Sequence, residues 1–131
     1  MGAIKRLCVC TSGKAFNLCC EPFLLAKKHA KTPVQLMRSR FSAFALGGHG
    51  QYLFNTWGEN YRSGLDANDL SLRSTDWLSL DIIAKSQQGD NGVVEFKAHY
   101  CNAEGAQETH HERSLFKRQG GRWFYTTGDV F

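Results

Sequence analysis

The chain has 131 residues, of which 42% are hydrophobic and 21% charged, as in an ordinary globular domain rather than a disordered segment. Its 16 Lys and Arg against 12 Asp and Glu give a formal net charge of +4, which indicates nucleic-acid binding only weakly. No window approaches a transmembrane span, and residues 1–7 lack the apolar region and cleavage site of a signal peptide. We therefore expect a cytoplasmic protein with no membrane partner.

Four of the five cysteines lie near the start of the chain, as a Cys-x-Cys pair followed after eight residues by a Cys-Cys pair: Cys8, Cys10, Cys19 and Cys20. Four soft thiolates on a short loop are what a tetrahedral Zn²⁺ site requires. In a reducing compartment, metal binding is favoured over a disulfide. The alternative is a redox pair, in which adjacent Cys19 and Cys20 resolve mixed disulfides.

Residues 1–22 are predicted to form this zinc knuckle. Ser12-Gly13-Lys14 is a turn signal, and residues 15–20 are predicted to make one helical turn that returns the second cysteine pair to the first. Four thiolates leave a site charge of about −2, which Lys5, Arg6 and Lys14 are placed to offset. The knuckle is predicted to be an appendage on which the rest of the fold does not depend.

Residues 21–31 have no clear pattern. Thr32 and Pro33 then predict a helix start, and Gly47-Gly48 predicts its end after Leu46. The helical period places four side chains on its inner face, with Leu36 and Arg40 beside them and Arg38 directed elsewhere: Met37, Phe41, Phe44 and Ala45. A shorter helix is predicted over residues 49–57, with Tyr52, Leu53 and Trp57 facing inward.

Residues 58–75 are predicted to form a long connection with one helical turn from Ala67 to Leu70. After Asp76 the period changes to two. The inner face of the first strand is predicted to contain Leu78, Leu80, Ile82 and Ala84. The inner face of the second is predicted to contain Val94, Phe96, Ala98 and Tyr100. Turns at 88–92, 102–107 and 119–121 separate two more strands, over 108–118 and 122–127. The order indicates an α+β fold in which a curved, four-stranded antiparallel sheet wraps around the helices.

Several motifs together resemble those of the bacterial YchJ family. Cys8-x-Cys10-x8-Cys19-Cys20 is similar to the SEC-C motif, the zinc-binding tail of the SecA translocation ATPase. Three further motifs follow in the family's order: Met37-Arg38-Ser39-Arg40-Phe41, His111-Glu112-Arg113-Ser114 and Gly121-Arg122-Trp123-Phe124-Tyr125. The resemblance implies a knuckle over 1–22 and a cystatin-like roll, similar to nuclear transport factor 2, over 23–131. It implies a fold and a metal but no reaction.

The chain departs from the family's pattern at two places. The usual Cys-Pro-Cys-Gly is here Cys8-Val9-Cys10-Thr11, which keeps the ligands but loosens the preset turn. Some relatives carry a second, C-terminal knuckle, which is not expected here because residues 21–131 do not repeat the cysteine motif.

Glu112 is the candidate polar residue of the roll. If Phe116 faces the core, strand alternation places Ser114 and Glu112 on the same face. A buried carboxylate needs a cationic or hydrogen-bonding partner, and Arg40 is the expected one. A structural ion pair is the simpler interpretation; the functional one is a ligand pocket with walls formed by Tyr52, Trp57, Trp77 and Tyr125. Cys101, His110 and His111 are expected to be surface residues without a chemical role.

Three functions remain open. The favoured one is a non-enzymatic adaptor whose knuckle docks on a protein partner, as the resemblance to the SecA tail implies for a chaperone or the ribosome. The second is a small-molecule binder, or an enzyme similar to isomerases and dehydratases, that uses the conical cavity around Glu112 and Arg40. The third and weakest is nucleic-acid binding through five basic residues around the knuckle: Lys5, Arg6, Lys14, Lys27 and Lys28.

Overall fold

The computed structural model describes residues 6–131, and its longest helix, α2, spans Pro33–Leu46. Thr32 is the N-cap, because its hydroxyl accepts a hydrogen bond from the Gln35 amide at 3.1 Å. The helix ends at Gly47, whose φ of 72° is one that glycine adopts without strain. Both ends lie where the sequence predicts them.

Three short helices complete the helical part: α1 (Glu21–Leu24), α3 (Gly50–Asn55) and α4 (Ala67–Leu70). The last two match predicted helical segments, whereas α1 lies where no element was predicted. Single 3₁₀ turns form at Phe16–Leu18, as expected before Cys19, and at Glu59–Tyr61. None of the helices within residues 6–131 is long and apolar enough to cross a membrane.

The second half of the chain is a four-stranded antiparallel sheet in sequential order. Its strands are β1 (Asp76–Gln88), β2 (Asn91–Cys101), β3 (Gln107–Gln119) and β4 (Arg122–Val130). The predicted α+β fold and meander are confirmed, and β4 runs beyond the predicted end at Thr127. Helix α2 packs across β1 and β2, so the side chains between helix and sheet form the core.

The predicted inner face of β1 is wrong at both ends. A shift in register between Trp77 and Ser79 turns Leu78 outward, leaving it 45% exposed, and Trp77 faces the helices instead. A second shift, between Ile82 and Ala84, leaves Ala84 exposed. Each shift inserts an extra residue, and an extra residue reverses the alternation of sides that the period-two pattern assumes.

The knuckle packs into the core rather than beside it. Three of its cysteines join helix and sheet residues in one buried cluster: Cys8, Cys10, Cys20, Phe41, Ala45, Leu80, Phe96 and Ala98. Thr11 fastens it to β1, since its Oγ1 accepts a hydrogen bond from the Leu80 amide at 3.0 Å. The packing contradicts the prediction of an appendage, while the boundary between residues 22 and 23 stays a prediction.

Candidate metal centre and cavity

The Sγ atoms of Cys8, Cys10, Cys19 and Cys20 all lie within 4.8 Å of one another. The Cys10 and Cys19 sulfurs are 3.6 Å apart, and those of Cys19 and Cys20 are 3.9 Å apart. A tetrahedral site with Zn–S bonds of about 2.3 Å has sulfur–sulfur edges of roughly 3.8 Å. The four cysteines therefore have the donor set and the spacing of a four-coordinate thiolate metal site.

Backbone hydrogen bonds of the knuckle bring the two cysteine pairs together. The Cys8 amide donates to the Lys14 carbonyl at 2.8 Å, which closes the loop, and the Thr11 amide donates to the Cys8 carbonyl at 3.1 Å. Thr11 has a φ of 61°, in the left-handed region that glycine adopts without strain and a β-branched residue does not. The strained backbone is held in place by the Thr11 side chain, whose Oγ1 accepts the hydrogen bond from the Leu80 amide.

Hydrogen bonds among the thiols shift the pKa values of Cys10 and Cys20 in opposite directions. Bonds from the Cys20 and Cys8 thiols lower the pKa of Cys10, and the bond to Cys10 raises the pKa of Cys20. Burial raises the pKa of Cys19. Because a bound metal must displace the remaining thiol protons, its affinity falls as the pH falls.

Arg38 is the cation that contacts the cysteine cluster, although the helical period directed it elsewhere. Its Nη1 donates to the Cys10 carbonyl at 3.0 Å and lies 3.7 Å from Cys10 Sγ. Arg6 stacks on the Phe16 ring instead, and Lys14 is exposed, while Lys5 lies outside the described residues. Within residues 6–131 the cation in direct contact with the cluster therefore comes from α2, and the charge offset by Lys5, Arg6 and Lys14 stays a prediction.

A second site lies between α2 and the sheet, in a cavity of about 270 Å³. Its walls are mostly apolar, from three elements: Met37, Phe41 and Phe44 of α2, Trp77 of β1, and Phe96 and Ala98 of β2. Trp57 and Tyr125 close one side, because the segment after α3 pairs with β4: the Tyr125 amide donates to the Thr56 carbonyl at 2.9 Å.

Glu112 is the acidic group of this cavity, with a side chain 13% exposed. Ser114 donates to its Oε2 at 2.6 Å, the Tyr125 hydroxyl donates to the same oxygen at 3.0 Å, and His110 Nε2 lies 2.9 Å from Oε1. Burial raises the pKa of Tyr125, and the negative charge of Glu112 adds to that shift. The carboxylate is thus fixed by three partners before any ligand arrives.

Gly128 makes the position of Glu112 possible. It pairs with Ser114 across β3 and β4, directly beside Glu112. A Cβ added at Gly128 would overlap the Glu112 carboxylate. Gly128 does not have a left-handed φ, so backbone conformation is not the reason for a glycine here. The reason is the close approach of the Glu112 side chain to the Gly128 backbone.

The expected ion pair between Arg40 and Glu112 is absent from the described part of the chain. Arg40 Nη1 instead donates to the Leu53 carbonyl at 2.8 Å and to Thr56 Oγ1 at 2.7 Å, which ties α2 to the end of α3. Its Cζ lies 4.7 Å from the Trp57 ring centroid and 4.9 Å from that of Tyr125. Burial lowers the pKa of Arg40 to about 10, so the side chain remains charged at neutral pH.

The structure brings six of the seven candidate pocket residues around the cavity: Arg40, Trp57, Trp77, Glu112, Ser114 and Tyr125. Tyr52 is the exception, because its hydroxyl bonds Ser39 at 2.6 Å and its ring lines a separate cavity of about 180 Å³. His110 was expected on the surface, yet it lies at the cavity wall. Alternation along β3 places residues 110, 112 and 114 on one face, so the sequence contained this signal.

Residues 32–128 match the family model described as YchJ, middle NTF2-like domain. The chain belongs to the YchJ family. A UPF0225 protein from Corynebacterium glutamicum is 39% identical over 129 residues, which cover 95% of this chain and 98% of the relative. One from Pectobacterium carotovorum is 38% identical over 134 residues, covering 95% and 84%.

Two solved structures share the fold with the knuckle included. The solution structure of a SEC-C motif containing protein from Rhodopseudomonas palustris superimposes with a TM-score of 0.86 at 36% identity, covering 95% of this chain and 98% of that one. A SEC-C motif containing protein from Psychrobacter arcticus gives 0.79 at 26% identity, covering 95% and 82%. This YchJ-family chain therefore has the SEC-C cysteine motif on an NTF2-like domain.

Replacing Arg38 by Met should weaken metal binding, because it removes the cation and donor next to Cys10. We expect a loss of about 10–100-fold, the usual effect of outer-shell partners of metal ligands, measured by competition with a chromophoric chelator. Lys14→Met removes the same charge at a position without this contact and should have little effect. An Arg38→Met protein with unchanged affinity would show that Arg38 does not stabilise the metal-bound thiolates.

Replacing Gly128 by Ala should lower the free energy of unfolding by about 1–3 kcal/mol, because the new methyl group overpacks the site of the Glu112 carboxylate. Urea unfolding of a double-mutant cycle tests the cause. In a Glu112→Ala background the added methyl group has room, so most of the cost should disappear. The same cost in both backgrounds would contradict the assigned clash.

Proposed function

We propose that this protein binds a small organic molecule in the cavity in front of Glu112, and that its metal centre stabilises one wall of that cavity. The observation that supports it is a carboxylate fixed by Ser114, Tyr125 and His110 within a cavity that Arg40 also lines and whose other walls are mostly apolar. A few polar groups among aromatic walls are typical of ligand sites. The volume of about 270 Å³ favours a ligand smaller than a typical drug.

Proton transfer is the chemistry that the Glu112 carboxylate could perform. A carboxylate already oriented by three partners needs no reorganisation when it accepts a proton from a bound molecule. His110 Nε2 contacts the other carboxylate oxygen, and its side chain is 33% exposed, so a proton could pass from Glu112 to water through it. We therefore extend the proposal to an isomerase- or dehydratase-like activity that uses Glu112 as the base.

A fragment screen by thermal stabilisation should find ligands, since binding to the folded state alone raises Tm. Ala98→Leu is the control, because Ala98 lines the cavity, pairs with His110 across β2 and β3 without being a hydrogen-bonding partner of Glu112, and the larger side chain fills the space. Every genuine ligand should lose its effect in this variant. A screen without hits, with Glu112→Gln as stable as the unchanged protein, would contradict a binding function.

We propose Zn²⁺ as the metal, with Cys8, Cys10, Cys19 and Cys20 as ligands. Tetrahedral sulfur coordination also suits iron, so protein purified without chelator should be measured for both metals. We expect about one zinc per chain and little iron. Thiolate ligands must stay reduced, which supports a cytoplasmic location. Chelation should lower the Tm of the whole domain, because three ligands are in its core; a stoichiometric iron content would overturn the zinc assignment.

A second candidate function is an adaptor that docks through the knuckle, and exposed leucines on and beside it favour this. Leu18, in the 3₁₀ turn before Cys19, is 70% exposed, and Leu7 and Leu25 are also exposed. Exposed apolar side chains that form a contiguous patch are typical of docking surfaces. We propose a ribosomal or chaperone partner, as for the motif that the knuckle resembles.

Co-sedimentation with purified ribosomes, and binding to a purified export chaperone, tests the adaptor function. Leu18→Ser should weaken the interaction while leaving metal content unchanged. Leu72→Ser is the matched control, because Leu72 is equally exposed but lies outside the knuckle. Equal binding by both variants would count against docking through this surface.

A further inference from the structure

Arg40 has three hydrogen-bond donors without a partner among residues 6–131. A guanidinium carries five N–H groups, and the two on Nη1 are directed at the Leu53 carbonyl and Thr56 Oγ1. Nε and Nη2 form no hydrogen bond to residues 6–131. An arginine that is only 4% exposed is rarely left in this state, because buried charges are normally paired.

The unpaired donors must face the cavity. Across the described residues, no side-chain nitrogen or oxygen that is sealed from solvent lacks a hydrogen-bond partner, so Nε and Nη2 must reach open space. Arg40 lines the cavity, which is the open space next to a side chain buried on its other sides. Within the described part of the chain, the guanidinium stacks on the Trp57 and Tyr125 rings and forms no ion pair, so a positive group lies at the cavity wall without a paired anion.

We propose that the Nε–Nη2 edge of Arg40 binds the carboxylate of a small aromatic or branched carboxylic acid. This inference rests on the proposed ligand-binding function and adds the class of ligand. The two N–H groups of this edge are parallel and match the two oxygens of a carboxylate. The bonds to α3 use Nη1 alone, so they orient the guanidinium while leaving this edge free.

The cavity walls other than Arg40 determine which chemical group can follow the carboxylate of the ligand. Rings of Phe41, Phe44 and Trp77 line the cavity beyond Arg40, which favours an apolar or aromatic body. The charge of Glu112 acts on Arg40 from across the cavity, but the two groups form no ion pair within residues 6–131. The hydrogen bonds to the carboxylate come from Ser114, Tyr125 and His110. A carboxylic acid bound in this way would present its body to Glu112, the proposed base.

Matched acid and amide pairs test this class of ligand on the full-length, metal-loaded protein: benzoate with benzamide, phenylacetate with phenylacetamide, and isobutyrate with isobutyramide. Binding is followed by NMR, with the Arg40 Nε–H resonance as the local reporter. We expect at least one acid to bind tenfold or more tightly than its amide and to shift this resonance. Ala98→Leu should abolish its binding.

Variants of Arg40 provide the second measurement. Arg40→Lys keeps the positive charge but loses the parallel donor pair, so the preference for acid over amide should fall severalfold even where overall affinity survives. If that variant does not fold, the acid–amide comparison in the unchanged protein decides alone. Equal affinity for acids and amides would overturn the carboxylate site and leave the ligand-binding function standing. Failure of every pair, with no hits in the fragment screen, would overturn both.

Discussion

The placement of helix α2 is the constraint on which both sites depend. Two arginines on this helix, two residues apart, point to different sides because positions i and i+2 do not share a helix face. Arg38 reaches the backbone and sulfur of Cys10, and Arg40 reaches the end of α3. A rotation of α2 about its axis would break both sets of contacts together. The N-cap at Thr32 and the C-cap at Gly47 fix the two ends of the helix, and this fixes the position of each arginine along the helix axis.

The metal centre and the cavity share atoms of one core. Phe41 belongs to the buried cluster that contains Cys8, Cys10 and Cys20, and it also lines the cavity. Phe96 and Ala98 of β2 do the same from the sheet side. Protein interiors are close-packed and transmit strain, so loss of the metal would disturb the cavity wall. In this chain the SEC-C segment is a structural part of the NTF2-like domain, and it presents Leu18 outward while its sulfurs face inward.

Local signals in the sequence determine most of the fold. The Thr32 cap, the glycines after Leu46 and the glycine turns between strands each predict an end that the structure has, because each acts through neighbours in the chain. The bulges of β1 could not be predicted in this way, since the extra residue is visible only against β2. Arg38, Gly128 and the hydrogen bond from Tyr125 to Glu112 were missed for the same reason: each acts between separate elements of the fold. His110 is different, because the alternation that placed Glu112 and Ser114 inside applied to it as well.

The two register shifts of β1 have a consequence for the protein in a crowded cell. This strand is an edge of the sheet, is 13 residues long, and exposes Leu78 and Ile83. A long regular edge of this kind would be a template for strands of other chains, and thus for aggregation. The extra residues at Leu78 and Ile83 interrupt the row of edge backbone groups at two places, and Thr11 of the knuckle bonds to Leu80 between them, so an incoming strand cannot keep one continuous register along this edge. The same irregularity that turns apolar side chains outward therefore keeps them from nucleating an intermolecular sheet.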